Sequence, residues 1–124
     1  MASSDVLDLM TLRNLVELDD GAYGLVLEMI AIFREDTPRR IQDILAAAAE
    51  GNAEELSRAG HALKGGAGAL GAEAMRNLAA DLEALGRGGD SDAGPDLAER
   101  LEATFRDSLT ALEAFVQDGQ AKRG

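Results

Sequence analysis

An all-α fold, an up-and-down antiparallel four-helix bundle with a short additional N-terminal helix, is the architecture this sequence predicts. Three observations lead there. Apolar residues make up 46% of the chain but aromatics only 3%, with no tryptophan, so the core must be Leu, Ala, Ile and Val, a mixture that suits packed helices better than a sheet. Those residues recur at three- and four-residue spacing, and no stretch alternates with the two-residue period of a half-buried strand. The segments so marked are joined by short connections, which sets neighbouring helices antiparallel. A chain of 124 residues is one domain with one core, expected to fray over residues 1–7 and 118–124.

The elements follow in order. A short first helix is predicted over Asp8–Leu18, where Leu9, Leu12, Leu15, Val16 and Leu18 form a stripe that Asp19-Asp20-Gly21 interrupts. A second runs from about Tyr23 to Glu35 on Leu25, Val26, Met29, Ile30 and Phe33. Pro38 suits the first turn of a third helix, capped by Asp36 or Thr37, carrying Ile41, Ile44, Leu45 and Ala48 and stopping at Gly51. Asn52, with Glu55 three residues on, marks the start of a fourth over Ala53–Leu70, which Gly71 breaks. A fifth covers Glu73–Leu85 and ends at Gly86, and Arg87 to Gly94 reads as a loop. Pro95 opens the last helix, whose stripe is Leu97, Leu101, Phe105, Leu109, Leu112 and Val116, before a disordered tail from Asp118.

Composition excludes several functions. Without cysteine there is no disulfide and no thiolate zinc site. With one histidine any metal site would be carboxylate-only, and no calcium-loop pattern is present. The net charge of −11 argues against nucleic acid, whose phosphates need a basic surface, and otherwise serves solubility. No apolar run reaches membrane-spanning length and no basic n-region leads into an apolar stretch, so a soluble, cytoplasmic protein is expected. There is no Walker-type glycine loop and no kinase signature, so any phosphoryl group has to come from a partner.

The informative residue is that histidine, His61, in the run His61-Ala62-Leu63-Lys64-Gly65-Gly66-Ala67-Gly68-Ala69-Leu70-Gly71. With residues turning roughly 100° apart around a helix, Lys64, Gly65 and Gly68 fall within roughly 60° of His61. Leu56, Ala59, Leu63, Ala67 and Leu70 fall on the opposite face. The imidazole therefore points away from the core, beside one cation and two residues without side chains. Gly60, Gly65, Gly66 and Gly68 each cost about 1 kcal/mol relative to alanine in a helix interior, which close approach by another backbone or molecule would offset. For Gly66, on the core-facing side, that approach is helix packing; for Gly65 and Gly68 it is a partner's. Ser57, one turn before His61, is in reach of the imidazole, but no triad with an oxyanion hole is readable. Neutral imidazole is itself a nucleophile able to hold phosphorus covalently. Lys64 places a positive charge where transferring oxygens need one, and Arg58 is either a second such group or an ordinary surface arginine.

This run resembles the signature of histidine-containing phosphotransfer (HPt) domains, written roughly His-x-Leu-Lys-Gly-Ser/Ala-Ser/Ala-x-x-Leu-Gly. His61, Leu63, Lys64, Gly65, Ala67, Leu70 and Gly71 match it, while Gly66 stands where the family often has serine. The similarity extends to Phe33-Arg34-Glu35-Asp36-Thr37-Pro38 and to Leu82-Glu83-Ala84-Leu85-Gly86-Arg87, covering about Leu15 to Phe115. It implies the same helical bundle, and a phosphoryl carrier in a two-component phosphorelay with no autonomous kinase activity. His61 would be phosphorylated on Nε2, with Lys64 assisting and Gly65, Gly68 and Arg58 facing the partner. The partners implied are response-regulator receiver domains and a hybrid or sensor histidine kinase. No cofactor is held by the chain itself, and Mg2+ comes from the receiver. The family often has a glutamine on the following helix to orient the imidazole; the matching position here is Glu83, read either as an acceptor for Nδ1–H or as an exposed helix residue. Phe33 is expected in the core near the histidine. The rival reading is a docking module that binds a receiver or kinase without carrying phosphate, which the intact His61-Lys64-Gly65 set opposes. A monomer is expected, and the Met1 start without flanking linkers suggests a free-standing protein.

Overall fold

The computed structural model describes residues 6–94 and 96–123. Its helices are α1 (Leu9–Leu18), α2 (Gly24–Ala49), α3 (Ala53–Leu70), α4 (Glu73–Arg87) and α5 (Leu97–Arg123). Helix α2 packs on α3, α3 on α4, α4 on α5 and α5 back on α2, a closed ring of four, while α1 lies across α2 and α3. The predicted bundle with one short extra helix is the one that forms. Its centre is aliphatic: Leu12, Ile44, Leu56, Leu63, Leu70, Met75, Leu101 and Leu112 are all fully buried. The few aromatics pair across helices, Phe33 with Phe105 at 5.4 Å between ring centres and Tyr23 with Phe115 at 6.0 Å.

Helix ends are set by side chains and by glycine. Asp8 accepts from Met10 N–H, Thr11 N–H and the Thr11 hydroxyl at the start of α1. Asn52 accepts from Glu55 N–H at the start of α3, as its position suggests. Gly71 ends α3 with φ +83°, a left-handed residue whose amide returns to the Gly68 carbonyl. The Gly71 carbonyl then accepts the Asp8 amide at 2.8 Å, tying the start of α1 to the end of α3.

Several boundaries differ from those predicted. The two helices expected on either side of Pro38 are one 26-residue helix, and Pro38, Asp36 and Thr37 lie inside it rather than at a cap. Proline removes one N–H and crowds the preceding turn. That local cost is overridden because Val26, Ile30, Phe33, Thr37, Ile41, Ile44 and Ala47 make one uninterrupted buried stripe, with Pro38 on the solvent side. Helix α4 passes through Gly86, the expected stop, and ends one residue later at Arg87. Gly86 is buried against α3: a Cβ there would stand 2.5 Å from both the Ala53 carbonyl oxygen and the Ser57 nitrogen. It is a packing glycine, not a terminator.

The ends of the chain are also better held than expected. Leu7 is buried in the core, anchored by the Asp8–Gly71 hydrogen bond beside it; residues 1–5 lie outside the described residues. Helix α5 does not end near Asp118 but continues to Arg123, and within that last stretch the Tyr23 phenol lies directly over Gly119, where no side chain would fit. The expected start of α5 at Pro95 also lies outside the described residues, and the helix is formed from Leu97.

Candidate functional site

The face of α3 that carries His61 is decided by the stripe behind it. Leu56, Gly60, Leu63, Ala67 and Leu70 are its buried residues, and they turn the His61 side chain outward, 70% exposed. Gly60 rather than Gly66 is the packing glycine here, since a Cβ on it would stand 2.8 Å from the Glu83 nitrogen and 3.1 Å from the Ala79 oxygen. The prediction for Gly66 is thus corrected: the buried arc is rotated towards α4, and Gly66 lies exposed at its far edge, with no atom within 4 Å of where a Cβ would stand. Gly65 is equally open. Gly68 is not, because the Arg76 side chain from α4 reaches over it, 3.1 Å from where a Cβ would be.

The close backbone contact of Gly60 with α4 brings Glu83 under the histidine. Glu83 is 5% exposed, and its carboxylate serves three donors. Oε2 is 2.9 Å from His61 Nδ1 and 2.6 Å from Arg87 Nη2; Oε1 is 2.6 Å from Lys64 Nζ. The Lys64 ammonium is the main influence holding the Glu83 carboxyl below its ordinary 4.5, assisted by the His61 N–H and the Arg87 charge, and burial opposes them without prevailing. Glu83 is therefore ionised at neutral pH and can only accept. Nδ1 of His61 must be the protonated nitrogen, which leaves the lone pair of a neutral imidazole on Nε2, at the far side of an exposed ring. Of the two readings of Glu83, acceptor or exposed surface residue, the structure selects the first.

A residue that sequence reasoning misses completes the site. Reading Gly86 as a helix end places Arg87 in a loop; with the helix continuous, Arg87 stands one turn beyond Glu83 and pairs with it. The Glu83-to-Arg87 spacing is the available signal. An open groove of about 590 Å³ runs alongside, lined among others by His61, Glu83, Arg87, Arg58 and Ser57. Arg58 there is paired with Glu55, and it is Glu83 rather than Ser57 that holds the ring. Phe33 is buried in the core as expected. On the other flank of α3 a smaller apolar hollow of about 170 Å³ is lined by Met29, Ile32, Phe33, Gly66, Ala67 and Ala69 among others. Among the described residues, no three His, Cys, Asp or Glu side chains gather to hold a metal ion.

Beside the exposed histidine on its open helix face stands a likeness that spans most of the chain. A family model described as the Hpt domain matches residues 28–115. The chain belongs to the Hpt family. The matched span runs from early α2 to late α5 and so takes in α3 and α4 whole, most of α2 and α5, and the site. Among solved structures, this Hpt chain is similar to histidine-containing phosphotransfer protein B (HptB) from Pseudomonas aeruginosa PAO1, at 26% identity and a TM-score of 0.76, covering 91% of this chain and 96% of that one. It shares its fold with the histidine-containing phosphotransfer domain of ArcB from Escherichia coli, at 20% identity and a TM-score of 0.73, covering 95% and 98%. No curated protein sequence matches it. As an Hpt domain it is a histidine phosphotransfer protein of phosphorelays, a class that works with receiver domains and kinases.

Proposed function

We propose that His61 carries the phosphoryl group, on Nε2, and exchanges it with receiver-domain aspartates. The observation that supports this most is the hydrogen bond from Nδ1 to Glu83, which leaves the nucleophilic lone pair on the exposed side of the ring. In the forward step the Nε2 lone pair forms the N–P bond while the O–P bond to the donor aspartate breaks, its electron pair leaving with the carboxylate. Nδ1 keeps its proton throughout, so the phosphorylated ring is cationic, and the Glu83 carboxylate facing it offsets that charge. The return step to a second receiver is the reverse. Mg2+, in this reading, arrives with the receiver, where it neutralises the transferring oxygens.

The docking face is the α2–α3 side of the site. Gly65 and Gly66 leave the backbone of α3 bare, Ile32 beside them is 57% exposed, and Ala69 continues the surface. Gly65 is the closest approach point; Gly68 and Arg58, covered by Arg76 and paired with Glu55, take lesser parts at its edges. A shuttle must release each partner, so this interface is small and transient. The protein acts as a monomer in the cytoplasm, which suits an acidic, cysteine-free chain with no described helix long and apolar enough to cross a membrane.

Incubation with a receiver domain phosphorylated on aspartate, in the presence of Mg2+, tests the reading. Acid-labile, alkali-stable label is expected on the wild-type chain and not on His61→Ala, whose circular dichroism and melting stay unchanged because the ring is exposed. Label on His61→Ala would refute it. Measurable binding to the receiver without any label on wild type would favour the docking module instead.

A further inference from the structure

Glu83 does more than orient a ring. Its one negative charge is shared among His61, Lys64 and Arg87, with Lys64 on Oε1 and both the ring and the guanidinium on Oε2. Lys64 and Arg87, two of the cations that could serve a phosphoryl group on His61, are thus already engaged by a buried carboxylate, while Arg58 in the same groove is paired with Glu55. We propose that Glu83 withholds Lys64 and Arg87 from the phosphoryl group and so makes the phosphohistidine of this protein a ready donor. The inference rests on the reading that His61 is the carrier.

The charges can be followed through the cycle. Before phosphorylation the neutral ring, Glu83, Lys64 and Arg87 leave the site with a single surplus positive charge. A dianionic phosphoryl group on a ring that keeps its Nδ1 proton adds a single net negative charge, so the loaded site is balanced. Glu83 acts directly on the loaded ring in two opposed ways, attracting the cationic imidazole it touches and repelling the phosphoryl oxygens beyond it. These largely cancel, since the nearer charge is single and the farther one double. What remains is the competition for cations. Both contacts are 2.6 Å, but Arg87 is 68% exposed on the last residue of α4 and has the more room to move, while Lys64 is only 33% exposed. The carboxylate limits how far either moves, and each contact it retains is one the phosphoryl group lacks. Both consequences favour departure: fewer bonds to the phosphoryl oxygens, and a protonated ring that leaves as neutral imidazole with the N–P electron pair while the receiver carboxylate forms the new O–P bond.

Glutamine at position 83 separates charge from orientation, because its amide oxygen still accepts from Nδ1–H while releasing both cations. The experiment mixes equal amounts of carrier and phosphorylated receiver with Mg2+ and reads the equilibrium division of label between them. Glu83→Gln is expected to shift that division towards the carrier by roughly tenfold, the scale of releasing two partly exposed charges, and to lengthen the lifetime of isolated phosphohistidine. Adding Arg87→Gln to Glu83→Gln is expected to remove much of the gain. An equal or smaller carrier share for folded Glu83→Gln, or a gain that Arg87→Gln leaves whole, overturns the proposal. Should Glu83→Gln fail to fold, Arg87→Gln in the otherwise native chain decides: a carrier share no lower than wild type supports the withholding of Arg87 by Glu83, and a lowered share, which would mean that Arg87 already serves the phosphoryl group, refutes it. A wild-type chain that takes no label defeats the carrier reading itself, and this one with it.

Discussion

His61 owes its chemistry to a residue it meets only across a helix interface. An imidazole free in water exchanges its proton between the two ring nitrogens, whereas one that donates Nδ1–H to an ionised carboxylate presents Nε2 as its free nitrogen. Lys64 takes part twice, holding Glu83 ionised through its hydrogen bond and standing one turn along the same face as the ring. Replacing Lys64 by Gln is expected to slow phosphoryl transfer about tenfold, through loss of the charge-assisted contact that holds Glu83 against the ring, and to lower the melting temperature modestly, because the buried Glu83 carboxylate loses its main partner. Rapid-quench transfer kinetics with a phosphorylated receiver measure the first and a thermal melt the second; an unchanged rate would remove Lys64 from the site.

At the scale of elements, the site is built by two glycines that let α3 and α4 approach. Gly60 admits the backbone of Glu83, and Gly86 admits that of Ala53 and Ser57. At Gly86 the obstructing atoms are backbone, which cannot rotate away as a side chain would, so Gly86→Ala is expected to destabilise by about 2–3 kcal/mol through overpacking. That corresponds to a melting midpoint roughly 10 °C lower, and it would move Glu83 away from His61, so transfer should fall even in the folded fraction. Pro38 is the opposite case, a residue that weakens a helix other contacts hold together. Pro38→Ala restores the amide missing from α2 and is expected to stabilise by about 1–2 kcal/mol, a gain reduced by the greater freedom of the unfolded chain. Chemical denaturation reads both; a loss of stability for Pro38→Ala would mean that the proline shapes the bundle rather than being tolerated by it.

The whole molecule responds to acid through carboxylates that the fold has paired. Glu83 is held below its ordinary 4.5 chiefly by Lys64, Glu73 below the same value chiefly by its hydrogen bonds from Arg76, and Asp8 below 3.8 chiefly by the Thr11 hydroxyl and amide. A carboxyl whose pKa is lower folded than unfolded binds fewer protons in the folded state, so stability rises with pH across that interval. The contribution is fully present above about 4.5 and is lost as the pH falls through the lower, folded values. Denaturation midpoints measured from pH 7 downward are therefore expected to hold until near 4.5 and then decline, with Glu73→Gln flattening part of the decline. A stability that rose on acidification through this window would contradict the pairing.

What can be read along the chain is whatever depends on near neighbours. Helix type, the Asn52 cap, the Gly71 stop, and the placement of His61 opposite Leu56, Leu63 and Leu70 all follow from spacing within one turn or two, and all are found. Glycine and proline are where such reading fails. Gly51 and Gly71 end helices, yet Gly60 and Gly86 lie within them, and no local pattern separates a glycine that stops a helix from one that admits a second helix. That ambiguity hides Arg87 and leaves Glu83 undecided between partner and surface residue. Pro38 likewise marks a helix start in local terms, and only the continuous stripe it shares with Phe33, Ile41 and their neighbours on the bundle core overrules it. The nucleophile and its face belong to one helix and are therefore legible; its orientation, its tautomer and the competition for its cations arise where α3 meets α4, at contacts between residues 22 apart in the chain, and exist once the helices have packed.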